Sequence, residues 1–137
     1  MRHKLPAVLM AALALVTAAA PLPAHHSFAA EFDQNKALTL QGVVTKVEWM
    51  NPHIFVYIDV KDDKGNVSNW SLEGFPPNTL YRQGWRKDTV KPGDTITVSA
   101  YSAKDGSTTA SIRTVSTVDG RKLFTGPGSA VPDGPRK

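Results

Sequence analysis

The fold of this chain is decided by residues 38–72, which read LTLQGVVTKVEWMNPHIFVYIDVKDDKGNVSNWSL. Over residues 54–60, isoleucine and valine alternate with other side chains at a period of two, which is typical of a β-strand. Residues 38–49 also read as a strand, and Gly42 within it indicates a bulge or a sharp bend. Proline at position 52 ends this first strand, because it lacks the backbone N–H that a sheet needs.

The remaining elements follow from turn residues and short apolar runs. Residues 61–66 predict a hairpin turn into a third strand, residues 67–72. Residues 79–83, between prolines and a glycine, predict a short helix. Two further strands are expected over residues 95–101 and 108–118. This order predicts an all-β fold with one short helix, either a small five-stranded Greek-key barrel of the OB type or an open β-sandwich.

The first 24 residues have the composition of a secretory signal peptide. Arg2 and Lys4 precede an apolar run over residues 5–20, which is followed by Pro21-Leu22-Pro23-Ala24 before the first polar stretch. That run is shorter than the roughly 20 residues that a membrane-spanning helix needs. We therefore expect residues 1–24 to be removed on export, and the mature protein to be periplasmic without a membrane anchor.

The rest of the chain divides into three segments by composition. Residues 25–37 have Phe28 and Phe32 as their large apolar side chains and show no clear period, so an extended amino-terminal arm is expected. Residues 38–125 form the predicted OB-like domain. Residues 126–137 are rich in glycine and proline and are expected to be disordered.

Charge and cysteine content restrict the possible functions. Without the signal segment, the chain has 14 basic and 12 acidic residues in a mixed pattern, which argues against nucleic acid as a partner. The chain has no cysteine, which excludes disulfides and a thiol nucleophile. It also lacks a Gly-x-Ser-x-Gly motif, a phosphate-binding glycine loop and a His-Glu-x-x-His motif, so a non-enzymatic protein is expected.

The positions of the histidines predict a metal site. Cleavage after Ala24 would make His25 the first residue, whose α-amine and ring Nδ1 can chelate one metal ion. The imidazole of His53 would complete a three-nitrogen histidine brace, with His26 and Met50 as auxiliary ligands. Because nitrogen ligands in a planar arrangement favour Cu(II), copper is the expected metal and a carrier or chaperone the expected role.

Other interpretations of the histidines stay open. Cleavage after Ala29 would remove both His25 and His26 and, with them, the metal site. The pair could also be no more than a polar boundary after the signal. His53 could be structural, with its ring bonded to a backbone carbonyl at the corner formed by Asn51 and Pro52.

The alternative function is a metal-free interaction domain that binds an unknown periplasmic protein or a small polar ligand. Its binding face would use Trp49, Asn51 and Tyr57, although such aromatic residues more often fill the core of a small barrel. Glu48, Asp59 and Glu73 are candidates for an acidic pair, but their spacing on separate strands is uninformative.

Several motifs together resemble a family of small exported bacterial proteins of unknown function. They are the start Ala24-His25-His26-Ser27-Phe28, the segment Trp49-Met50-Asn51-Pro52-His53, and the turns Lys91-Pro92-Gly93-Asp94 and Ala103-Lys104-Asp105-Gly106-Ser107. The resemblance covers nearly the whole mature chain. It implies a bacterial, Gram-negative periplasmic protein, and it implies no activity or site residue.

Overall fold

The computed structural model describes residues 27–124, so the predicted signal peptide, His25, His26 and the predicted tail lie outside the described residues. Between residues 27 and 124, no helix is long and apolar enough to cross a membrane. The elements in chain order are α1 (Phe28–Glu31), β1 (Phe32–Glu48), β2 (Phe55–Lys61), β3 (Val67–Glu73), α2 (Pro77–Arg82), β4 (Thr95–Ala103), β5 (Thr109–Thr117) and β6 (Lys122–Phe124).

The first five strands pair in a closed ring. β1 pairs antiparallel with β2 and with β4, and the pairs β2–β3 and β4–β5 are also antiparallel. The ring is closed by a short parallel seam between β3 and β5, in which Leu72 pairs with Ala110 and Glu73 with Ser111. This order confirms the prediction of an OB-like, mostly antiparallel β fold and excludes an open sandwich. β6 lies outside the ring and pairs with β5.

The core fills the inside of the ring. In β4, Ile96, Val98 and Ala100 are buried at every second position, as their period of two predicted. Helix α2 starts with a proline at its first turn and is followed by Gly84 at φ +91°, so both of its ends carry the residues that such ends favour. Trp85, just beyond this helix, is 2% exposed and belongs to the core.

The structure corrects the predicted boundary between the arm (25–37) and the domain (38–125). β1 begins at Phe32, and α1 forms a single helical turn before it. The segment becomes a strand because Phe32 pairs with Ala103 and Ala37 with Tyr101 on β4. Since β4 lies more than 60 residues later in the chain, no local pattern could predict this pairing. At the other end β1 stops at Glu48, so Trp49 is outside the strand.

Gly42 permits a close approach between two strands. A Cβ atom at this position would lie 2.5 Å from the carbonyl oxygen of Asp59 on β2. The irregularity in the β1–β2 ladder lies further on, between Val44 and Lys46. Gly42 therefore allows β1 and β2 to lie close together. The bulge expected at this position lies a few residues further along β1, between Val44 and Lys46.

Candidate functional site

His53 lies in the loop between β1 and β2, and its ring contacts the end of β3. The Nδ1 atom lies 3.0 Å from the carbonyl oxygen of Gly74. A carbonyl oxygen can only accept a hydrogen bond, so Nδ1 carries the hydrogen and donates it. In the neutral ring, Nε2 is then the nitrogen with a free lone pair. The hydrogen bond thus selects Nε2 as the atom of His53 that can bind a cation.

Glu73 adds a carboxylate to the same ring nitrogen. Its Oε1 lies 3.3 Å from Nδ1 of His53, and its side chain is 19% exposed. Burial raises the pKa of the Glu73 carboxyl, His53 opposes this change, and the like charge of Glu31 raises the pKa further. Two carboxylates therefore act on each other close to one imidazole.

These side chains surround a small cavity of about 130 Å³. One wall comes from the amino-terminal segment and the other from His53 and the ends of β3 and β5. The lining residues are Phe28, Glu31, Phe32, His53, Glu73, Gly74, Phe75 and Ser111. The start of the described chain and the predicted ligand His53 therefore meet at one place.

Aromatic and backbone contacts hold the amino-terminal segment there. The ring of Phe28 lies 5.4 Å from that of Phe32 and 5.9 Å from that of Tyr101, the latter edge to face. The backbone N–H of Lys104 donates to the carbonyl oxygen of Glu31 at 2.9 Å. Since Phe32 is also buried, α1 is fixed against β4 and the turn that follows it.

The predicted metal ligands are not all within the described chain. His25 and His26 precede it, and no group of three or more His, Cys, Asp or Glu side chains within residues 27–124 could hold a metal ion. Met50 is 49% exposed and is absent from the lining of the cavity at His53. His53 does bond to a backbone carbonyl, but to that of Gly74 across the fold rather than at the Asn51-Pro52 corner.

The residues predicted to bind a small ligand have intramolecular contacts or are exposed. Trp49 packs edge to face on Tyr81, with the ring centroids 5.4 Å apart. The Tyr57 hydroxyl donates to Glu48 at 2.9 Å. Asn51 is exposed. These contacts give two of the three residues a structural role.

The three candidate acidic residues do not form a pair. Glu48 bonds to Tyr57, Asp59 accepts from Asn69 at 2.8 Å, and Glu73 faces His53. Sequence reasoning named Glu73 and His53 separately but missed their contact, and it missed Glu31 and Gly74 at the cavity. The register between strands and the docking of α1 bring these residues together, and the local pattern carries no signal for either.

Comparison with known proteins places the chain in a family. Residues 12–112 match the profile of a family of unknown function, DUF6152, and the chain belongs to this family. A search of the curated proteins finds no match.

Among solved structures, the chain is similar to the mitochondrial single-stranded DNA-binding protein Rim1 of S. cerevisiae, with 15% identity and a TM-score of 0.46. The likeness covers 69% of this chain and 98% of that one. The DNA binding in that protein's name is a property of that protein and is not carried over here.

Proposed function

We propose that the mature protein is a periplasmic, non-catalytic copper carrier whose site joins the amino-terminal His25 to His53. The observation that carries the proposal is that Phe28 and His53 line the same cavity. Export and cleavage after Ala24 belong to the proposal, because only that cut creates a free amine on His25.

The distance along the chain suits this closure. His25 is three residues before Phe28, and one residue spans at most about 3.6 Å, so its amine can reach to about 11 Å from Phe28. This reach starts from the wall of the cavity, because Phe28 itself lines it. The α-amine and the ring Nδ1 of His25 would supply two nitrogens, and Nε2 of His53 the third.

The surroundings of His53 fit a metal ligand. Histidines that bind metals almost always donate the other ring N–H to a carboxylate or a backbone carbonyl. Here Nδ1 donates to the backbone carbonyl of Gly74, and the Glu73 carboxylate lies 3.3 Å away. Nitrogen ligands favour Cu(II) among the divalent first-row ions. The negative charges of Glu31 and Glu73 at the cavity would further favour a cation.

The size of the cavity favours a copper carrier over an enzyme. About 130 Å³ is well below the roughly 300–1,000 Å³ of ordinary ligand pockets, which leaves little room for a substrate beside a bound ion. His26 adjoins His25 and remains an auxiliary ligand in the proposal. Met50 is the weaker auxiliary candidate, since the cavity does not include it.

The test starts from the exported protein, with its first residue determined by mass spectrometry. Cu(II) titration of the species that begins at His25 should saturate at one ion, with nitrogen hyperfine structure in the EPR spectrum. His53→Ala should abolish this tight site, whereas Met50→Ala should retain it. Equal copper binding by His53→Ala and the parent would overturn the proposal.

Absence of any tight site on the His25 species would instead favour the metal-free interaction domain. Export followed by cleavage after Ala29 would also contradict the proposal, because both His25 and His26 would be lost.

A further inference from the structure

We infer that Glu73 is a positioning residue that fixes His53 in the Nδ1–H form and thereby presents Nε2 to the cavity. The metal part of this inference rests on the proposed function, but the state of the ring does not. The Oε1 atom of Glu73 lies 3.3 Å from Nδ1, the ring nitrogen that would not bind the metal.

The backbone around the two acceptors is fixed to the segment that carries His53. The N–H of Gly74 donates to the carbonyl oxygen of Ile54 at 2.9 Å, and that of Ile54 donates to the carbonyl oxygen of Phe75 at 3.3 Å. Ile54 is fully buried and follows His53 directly. The acceptors on Glu73 and Gly74 therefore keep a constant position relative to the ring.

Glu73 itself has a fixed place in the sheet. It pairs with Phe55 on β2 and with Ser111 on β5, at the end of the seam that closes the ring of strands. Ser111 is buried and lines the same cavity. Backbone pairing on both sides therefore fixes the point at which the Glu73 side chain leaves the sheet beside His53.

The carboxylate adds what the Gly74 carbonyl cannot supply. The carboxylate lies 3.3 Å from Nδ1 and attracts the positive hydrogen on that nitrogen by its full charge, whereas a neutral carbonyl acts through its dipole alone. A carboxylate behind a ligating histidine also increases the basicity of the nitrogen that binds the metal. The Glu73→Gln variant removes the charge of the side chain and keeps its shape. A change in the His53 ring in this variant therefore comes from the lost charge and not from altered packing.

The chain offers a matched control at Glu48. Glu48 and Glu73 are the two direct cross-strand partners of Phe55, one on β1 and one on β3. Glu48 bonds to Tyr57, however, and not to His53. Glu48→Gln therefore makes the same chemical change in the same row of the sheet without touching the imidazole.

The first measurement uses the metal-free mature protein and nitrogen-15 NMR of the His53 ring, under conditions where the imidazole is neutral. The parent and Glu48→Gln should show Nδ1–H as the dominant form, and Glu73→Gln should show a smaller Nδ1–H population. A parent with Nε2–H, or equal populations in the parent and Glu73→Gln, would overturn the inference.

The second measurement is Cu(II) affinity, by competition with a chelator of known affinity. Glu73→Gln should weaken binding by roughly 10- to 100-fold, the usual effect of losing such a partner, and Glu48→Gln should leave it unchanged. Equal losses in the two variants would overturn a specific role for Glu73. If the parent binds no copper, the proposed function fails, and the NMR result still decides whether Glu73 positions His53.

Discussion

Phe28 packs edge to face against Tyr101, with ring centroids 5.9 Å apart, and so fixes the start of the described chain to β4. Tyr101 pairs with Ser111, which in turn pairs with Glu73, the partner of His53. One row of the sheet therefore connects the amino-terminal segment to the histidine.

Tyr101→Ala should loosen α1 without altering His53. An aromatic pair contributes about 0.5–1.5 kcal/mol beyond its buried area, so amide exchange in α1 should accelerate by roughly 2- to 10-fold. Copper affinity of the mature protein should fall with it. Hydrogen exchange and copper competition measure the two effects.

Tyr81→Ala is the matched control for this variant. It removes an edge-to-face pair of similar geometry, Trp49 with Tyr81, from a contact outside the cavity. The rate of amide exchange in α1 and the copper affinity of Tyr81→Ala should equal those of the parent. If both tyrosine variants bind copper like the parent, docking of the segment does not matter for the site.

Two adjacent valines on β1 test the assignment of the core. Val44 is 1% exposed and Val43 is 44% exposed. Val44→Ala should lower the free energy of unfolding by roughly 2 kcal/mol, because it removes buried methyl groups and leaves a cavity. Val43→Ala should change it by less than about 0.5 kcal/mol. Urea denaturation of both variants measures this difference, and similar losses would contradict the inward direction of Val44.

The ion pair between Lys46 and Glu48 should contribute stability that depends on pH. Hydrogen bonds from Lys46 and then from Tyr57 hold the pKa of Glu48 below its usual 4.5. A lowered folded-state pKa means that the contribution is present above about pH 4.5 and is lost as the pH falls through the folded-state value.

Lys46→Gln should therefore be less stable than the parent near neutral pH, and the difference should shrink in acid. Unfolding free energies measured across this range test the expectation. Lys36→Gln, at an exposed lysine of the same strand, should show a constant difference. A Lys46→Gln difference that grows in acid would show that the pair does not stabilise the folded state.

The order of the helix and strands along the chain could be predicted from the sequence, because the signals that mark each element are local. Alternation over Ile96, Val98 and Ala100 identifies β4, and proline before and glycine after α2 mark its ends. The extension of β1 back to Phe32 could not be predicted in this way, because it depends on pairing with Ala103, which lies far along the chain.

The candidate site was predictable only in part, for the same reason. His53 could be named, since the sequence has four histidines in all. Its partners Glu73 and Gly74 come about 20 residues later, and only the register of β2 with β3 brings them to the ring. Glu31 reaches the cavity through α1, whose docking depends on the distant Tyr101.

The location of bound Cu(II) tests the central claim most directly. Paramagnetic broadening of amide signals in the mature protein should be strongest at Gly74 and Ser111, which line the cavity, and absent at Gly65 in the hairpin turn between β2 and β3. Broadening centred elsewhere, with the signals of Gly74 and Ser111 unaffected at one equivalent of copper, would contradict a site formed by His25 and His53.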